Sequence, residues 1–171
     1  MTAIHPKSKR SQKVPIGLFC LAVLIVFTVK CSPLMQTYSL GVDPSFERCL
    51  PEIHLTLLKR APSPAVHRGD LVFFKPDAHF TWVKRDYILK KVAGIEGDHL
   101  VIKNDKILIN DQEIVHGFPL ALYYKRVVFT RDEIIPKGEI FLYGTHAFSD
   151  DSRYWGFESI ANLEGTAYVV F

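Results

Sequence analysis

The 171-residue sequence predicts a mostly β domain preceded by one N-terminal transmembrane helix. Three observations lead to this fold class. An uncharged apolar run follows a group of basic residues near the amino terminus. Beyond it the chain is rich in β-branched and aromatic residues that are interrupted by glycine, proline and Asn-Asp pairs, a composition typical of strands and turns. No long window outside the apolar run shows helical periodicity.

The apolar run extends from Val14 to Val29 and ends at Lys30. Four basic residues precede it: Lys7, Lys9, Arg10 and Lys13. The run is longer than the apolar part of most secretory signals and slightly shorter than the roughly 20 residues that cross a bilayer. No Ala-x-Ala-like cleavage site follows, so an uncleaved anchor is predicted, with a cleaved signal peptide as the alternative. Because basic residues stay in the cytoplasm, we expect the rest of the chain on the outer side, the periplasm in a Gram-negative bacterium.

The sequence divides into four predicted parts. A basic cytoplasmic tail covers residues 1–13, and the transmembrane anchor covers residues 14–30. A connector follows over residues 31–44, and the extracytoplasmic β domain occupies residues 45–171.

Short apolar runs bounded by turn residues predict the strands of the β domain. Leu55–Leu58 and Leu71–Phe74 are two such runs, separated by proline and glycine. Leu100–Ile109 alternates apolar and polar side chains about a central Asn-Asp pair, which is the local pattern of a β-hairpin. Ile140–Tyr143 is a further apolar run, and Glu158–Leu163 is long enough for one helical turn.

Charge and cysteine content exclude some classes of function. The formal net charge of +3 is small and spread along the chain, so nucleic acid is not an expected partner. The three cysteines, Cys20, Cys31 and Cys49, lack the short spacing of zinc ligands. We therefore expect neither a metal nor another cofactor.

Lys90 and Lys91 lie within the apolar segment Tyr87–Ile95. Strand alternation requires one of the two side chains to point inward. A lysine among apolar groups loses the hydration of its ammonium form and becomes a usable base near neutral pH. Taken alone, the segment also fits two amines that reach solvent at a strand edge.

The segment Phe148–Gly156 is dense in hydroxyl and charged side chains and is flanked by aromatic residues. Its Asp-x-Arg pair, Asp151 and Arg153, can hold the segment rigid through charge-assisted hydrogen bonds. Ser149 beside this pair is able to orient a lysine amine. Taken alone, the segment also fits a purely structural turn.

Together these segments resemble the motifs of the signal peptidase I family. Asp86–Asp98 is similar to the family's lysine box, and its glycine spacing selects Lys90 as the counterpart of the family's base. Ser149–Gly156 closely resembles the carboxy-terminal Ser-x-Asp-Ser-Arg-Tyr-Trp-Gly box. Glu96 departs from the pattern, because the family usually has proline there. Two further segments fit the boxes in between: Arg68–Val72 and Pro136–Gly144.

The resemblance implies a β-rich catalytic domain on the outer membrane surface, a nucleophile paired with lysine, and no cofactor. In the TraF-like branch of conjugative systems, a Ser-x-Pro motif precedes an Arg-Gly-Asp-Leu-Val strand. Here that frame reads Cys49-Leu50-Pro51, so Cys49 is the predicted nucleophile, and a thiol is easier to deprotonate than a hydroxyl. Ser45 is the alternative, which keeps the hydroxyl but lacks the proline. The resemblance assigns the orientation of Lys90 to three residues: Ser149, Asp151 and Arg153.

The predicted function is that of a membrane-bound, signal peptidase-like endopeptidase. Its substrate would be an exported precursor, such as a pilin or another conjugation or secretion substrate. Membrane lipid and components of a conjugation or secretion complex are the other expected partners. A second hypothesis is a non-catalytic membrane-anchored assembly factor on the same scaffold, suggested by the missing serine. A third is a housekeeping signal peptidase.

Overall fold

The computed structural model describes residues 16–42, 49–76, 86–124 and 129–171. The chain forms two compact units, of which the first ends at Gln36 and the second covers Thr37–Phe171. Helix α1 belongs to the first unit, and the β domain forms the second. Ser45 lies outside the described residues.

Helix α1 covers Ile16–Thr37 and therefore continues past Lys30, where the predicted anchor ends. Among the described residues it is the one helix long and apolar enough to cross a membrane. Lys30 does not end it, because lysine favours helices and its amine can reach polar surroundings along its own methylene stem. Pro33 lies inside the helix, as proline is tolerated in membrane helices. The predicted connector, residues 31–44, is thus helical up to Thr37 and continues into a strand.

The β domain contains two antiparallel sheets in the part of the chain that the structure describes, so the predicted mostly β fold is confirmed. The strands, in chain order, are β1 (Tyr38–Val42), β2 (Leu55–Arg60), β3 (Leu71–Phe74), β4 (Ile88–Ile95), β5 (His99–Lys103), β6 (Lys106–Ile109), β7 (Gln112–His116), β8 (Arg131–Ile134), β9 (Glu139–Tyr143), β10 (Glu158–Ser159) and β11 (Leu163–Val169). The large sheet has the order β1-β2-β11-β3-β4-β9-β10, and the small sheet has the order β7-β6-β5-β8.

Tight Asn-Asp turns join the strands of the small sheet. Asn104 and Asp105, between β5 and β6, have φ angles of 51° and 61°. Asn110 and Asp111, between β6 and β7, have φ angles of 48° and 64°. Positive φ at both central residues is the geometry of the type I′ hairpin turn, which Asn and Asp tolerate better than most residues. The hairpin predicted within Leu100–Ile109 is therefore present.

Strand β4 lies between β3 and β9 near the centre of the large sheet and carries Lys90. Residues Ile88, Lys90 and Val92 are buried, whereas Leu89 and Lys91 are only partly buried. A strand has a period of two, so Lys90 lies on the same face as its two buried neighbours. One core cluster contains those neighbours and apolar residues of β3, β9 and β11: Val72, Phe74, Ile88, Val92, Ile140, Leu142 and Leu163.

Two short elements differ from the sequence-based expectation. Helix α2, Ser152–Trp155, is a single turn that is too short for apolar periodicity to reveal. The segment predicted to form one helical turn, Glu158–Leu163, begins instead as strand β10 and then forms a 3₁₀ turn at Ile160–Asn162. Ser159 caps that turn by accepting a hydrogen bond from the amide of Ala161.

Candidate active site

The side chain of Lys90 reaches two polar atoms from other parts of the chain. Lys90 is 1% exposed, and its Nζ donates to the Sγ of Cys49 at 2.8 Å. The same Nζ donates to the Oγ of Ser149 at 3.0 Å. Three of the residues singled out in the sequence therefore meet at one point, although they are far apart in the chain.

Cys49 is held by its neighbours in sequence and by a distant loop. Leu50, the next residue, is 4% exposed and packs in a core cluster with Ile53 and Phe73. The carbonyl oxygen of Cys49 accepts a hydrogen bond from the amide of His146 at 3.0 Å. Cys49 is thus held in place by these contacts, and the residue itself is partly exposed.

Gly144, at the end of β9, allows the two loops to approach the site. A Cβ at this position would lie 2.5 Å from the carbonyl oxygen of Cys49 and even closer to the Oγ of Ser149. Only glycine, which has no Cβ, therefore fits at this position. Gly144 lies within a family motif in the sequence. Its close approach to Cys49 and Ser149 was not predictable, because it depends on how separate segments fold together.

Asp151 and Arg153 form a buried ion pair beneath Ser149. Arg153 donates from Nε to Oδ1 of Asp151 at 2.8 Å and from Nη2 to Oδ2 at 2.9 Å. Burial by itself lowers the pKa of Arg153, but the hydrogen bonds and charge of Asp151 outweigh that effect and the net pKa is raised. The guanidinium therefore stays charged.

The ion pair also fixes the backbone around the lysine amine. Arg153 Nη2 donates to the carbonyl oxygen of Ser149 at 3.1 Å, and Asp151 Oδ2 accepts from the amide of Gly144 at 3.1 Å. Asp151 caps helix α2 as well, by accepting from the amide of Arg153. The pair thus acts on Lys90 through the position of Ser149.

Asp150 is a buried acid that sequence reasoning did not single out. Both of its carboxylate oxygens are shielded from solvent, and neither accepts a well-formed hydrogen bond from the described residues. Burial raises the pKa of Asp150, while the hydroxyl of Tyr124 and the charge of Lys90 offset part of the rise. The pKa of the Tyr124 hydroxyl is raised, mainly because burial removes its water and secondly because Asp150 interacts with it. The Asp-x-Arg pattern identified Asp151 as the partner of Arg153, but no sequence pattern indicated the burial of Asp150.

The geometry has the features that proton transfer requires. An amine and a thiol at 2.8 Å are within the hydrogen-bond reach of a base and its nucleophile. Among the described residues, no group of three or more His, Cys, Asp or Glu side chains is arranged to hold a metal ion. The described site offers an amine, a thiol and a hydroxyl at hydrogen-bond distance.

Most of the chain matches one known protein family. The family model of signal peptidase, peptidase S26, matches residues 12–171. The chain belongs to this family. Its match includes β4 and the Ser149–Gly156 segment, so the residues around Lys90 all lie within the signal peptidase region.

Curated signal peptidases are similar to this chain at moderate identity. Signal peptidase I of Bacillus caldolyticus is 29% identical over 113 residues, which are 58% of each chain. Signal peptidase I U of Bacillus subtilis (strain 168) is 31% identical over 115 residues, covering 61% of this chain and 58% of the relative. A probable signal peptidase I-2 of Synechocystis sp. is 29% identical, covering 61% of this chain and 47% of the relative. The chain therefore spans about half the length of the curated relatives that it matches.

A crystal structure of a signal peptidase I from Enterococcus faecalis V583 is also similar to this chain. The two share 24% sequence identity with a TM-score of 0.39, over 60% of this chain and 97% of that chain.

Proposed function

We propose that this chain is a membrane-bound, signal peptidase-like endopeptidase in which Cys49 is the nucleophile and Lys90 the general base. The observation that supports it most directly is the 2.8 Å contact between Lys90 Nζ and Cys49 Sγ, in a chain of the signal peptidase family. Ser149, Asp151 and Arg153 are positioning residues, because they fix the amine through the Ser149 hydroxyl.

Each step of the proposed reaction uses this geometry. The neutral amine of Lys90 takes the proton of the Cys49 thiol, and the thiolate attacks the scissile carbonyl carbon. The main-chain amide at Cys49 is the proposed donor to the developing oxyanion. Lys90 then gives its proton to the leaving amine, which leaves a thioester on Cys49. Lys90 next activates a water molecule, which hydrolyses the thioester and restores the thiol.

The proposed substrate is an exported precursor that is cleaved at the outer face of the inner membrane. Helix α1 supports this location, since it is long and apolar enough to anchor the chain. The Cys-Leu-Pro frame that resembles the TraF-like branch supports a narrow substrate, such as a pilin of a conjugation or secretion system. Resolution of the thioester by the amino end of the product, in place of water, would join the two ends of the product into a ring.

Cleavage of a pilin precursor by the full chain in detergent tests the proposed dyad. Cys49→Ala and Lys90→Met are each expected to lower kcat/KM by at least about 100-fold, since each removes a reacting group. The matched control variants are Ser45→Ala and Lys91→Met, which should cleave at the wild-type rate. Full activity of Cys49→Ala together with an inactive Ser45→Ala would transfer the nucleophile role to Ser45.

Two further measurements separate the rival functions. The mass of the processed pilin distinguishes a hydrolysed linear product from a ring, which is one water lighter. Rescue of a conditional signal peptidase mutant would indicate a housekeeping enzyme. A wild-type protein that assembles the pilus but cleaves no precursor would favour the non-catalytic assembly factor.

A further inference from the structure

We propose that Cys49 is a peroxide-sensitive modification site at which the amine of Lys90 captures the oxidised sulfur in a covalent sulfur–nitrogen bond. The inference rests on the Cys49–Lys90 pairing of the proposed function, but it requires no peptide cleavage. Its basis is that a nitrogen nucleophile lies 2.8 Å from the sulfur of a partly exposed cysteine. The product would be a sulfenamide that links the turn of Cys49 to strand β4.

Access and charge direct oxidation to this thiol. The thiolate is the form that peroxide oxidises, and in the proposed function the amine of Lys90, at 2.8 Å, is the base that forms it. Cys49 is partly exposed, so a molecule as small as hydrogen peroxide can reach its sulfur. Lys90 is 1% exposed and is therefore shielded from solvent while it remains in contact with that sulfur.

The chemistry balances with hydrogen peroxide as the oxidant. The thiolate attacks one peroxide oxygen, the O–O bond breaks, and Cys49 becomes a sulfenic acid. The hydroxide that leaves takes a proton from the Lys90 ammonium and becomes water. The neutral amine then attacks the sulfur, the S–O bond breaks, and the departing hydroxyl takes an amine proton to form a second water. The protein loses two hydrogens, and the peroxide is reduced to two waters.

After the first step, Lys90 is a neutral amine next to the sulfenic acid of Cys49. The hydroxide that left the peroxide has taken the ammonium proton, so the lone pair of the amine is free to attack the sulfur. Ser149 Oγ keeps the nitrogen in place, and the His146 amide keeps the backbone of Cys49 in place. The flexible stem of Lys90 supplies the short movement that bond formation needs.

The neighbour at hydrogen-bond distance from the Cys49 sulfur is the amine of Lys90. A sulfenamide is reopened by a thiol, which attacks the sulfur and releases the amine, and a second thiol restores Cys49. Sulfinic and sulfonic acids are not restored in this way. Capture by Lys90 therefore protects the sulfur from irreversible oxidation, at the cost of reversible loss of the dyad.

Peptide mapping by mass spectrometry tests the modification on the full chain in detergent, without any precursor. After treatment with hydrogen peroxide we expect a cross-linked pair of peptides containing Cys49 and Lys90, two hydrogens lighter than their sum. Dithiothreitol should separate the pair and restore alkylation of Cys49. Lys91→Met, the matched control on the other face of β4, should form the same link. Lys90→Met should instead yield Cys49 sulfinic acid.

The wild-type result decides the question even if Lys90→Met fails to fold. Wild-type protein with Cys49 sulfinic acid and an unmodified Lys90 would overturn the proposal. Because mass is read without turnover, the two proposals can fail separately. A cross-link in a protein that cleaves no precursor would refute only the peptidase function, and cleavage without a cross-link would refute only the modification.

Discussion

At the scale of single residues, the buried carboxyl of Asp150 makes the stability of the domain depend on pH. Its pKa in the folded protein is raised by burial above the unfolded value of about 3.9. The protonated carboxyl therefore contributes stability that is fully present below pH 3.9 and is lost as pH rises through the folded-state pKa. The site next to Lys90 thus contains an acid that opposes folding once it ionises.

Asp150→Asn should remove this dependence, because the amide has the shape of the acid and cannot ionise. The melting temperature of the variant should exceed that of the wild type near pH 7, and the difference should vanish below about pH 3.9. Thermal unfolding followed by circular dichroism across this range measures the effect. Asp86→Asn, at an exposed position, is the control. A difference that stays constant with pH would contradict the assigned role.

The burial of Lys90 was predictable from the sequence, whereas the contacts of Asp150 and Glu96 were not. Alternation required either Lys90 or Lys91 to face inward, and the motif spacing selected Lys90, which is the buried one. The contacts of Asp150 were not predictable, because they depend on side chains from distant segments. The same holds for Glu96, which departs from the family pattern. Its carboxylate accepts a hydrogen bond from the amide of Gly138 at 3.0 Å, so it ties two turns together.

At the scale of secondary-structure elements, the end of β9 is the most closely packed part of the site. Gly144→Ala should push the Cys49 turn and Ser149 away from Lys90, because a Cβ has no room there. We expect a loss of stability of about 1–3 kcal/mol and a larger relative loss of peptidase activity. Urea denaturation and a cleavage assay measure both. Gly17→Ala makes the same change where a Cβ meets nothing within 4 Å, and should behave as wild type.

Helix α2 and the loop before it depend on the ion pair between Asp151 and Arg153. Arg153→Met would leave the buried carboxylate without its partner, and should destabilise the domain by about 3–5 kcal/mol. The free energy of unfolding in urea measures this loss. Lys106→Met breaks an exposed pair with Glu113 and should change stability little. Similar losses in the two variants would refute a special role for the buried pair.

The elements that the sequence revealed are those with local causes. The Asn-Asp turns require positive φ, and this requirement is visible in two adjacent residues. Helix α2 and strand β1 were not predicted. Helix α2 depends on a cap and an ion pair, and β1 depends on pairing with β2. The cap and ion pair of α2 join individual side chains within one turn, and β1 is stabilised by a distant strand, so composition and periodicity report neither.

At the scale of the whole molecule, the division into an apolar helix and a β domain follows directly from composition. Charged residues are absent from Val14–Val29 and frequent after Pro44, which is why the two classes of structure were separable in the sequence. The position of the boundary was less predictable. The compact β domain begins at Thr37, because β1 pairs with β2 and thereby joins the large sheet.

The central position of β11 makes the large sheet depend on a strand that comes late in the sequence. Strand β11 follows the other described strands along the chain, yet it lies between β2 and β3, and β3 pairs with β4, the strand of Lys90. Pairing between such distant segments forms late in folding. Nascent chains halted before Leu163 should therefore remain sensitive to protease, whereas chains extended past Val169 should become resistant. Under the proposed function, peptide cleavage would therefore begin only after β11 has been exported and paired with β2 and β3.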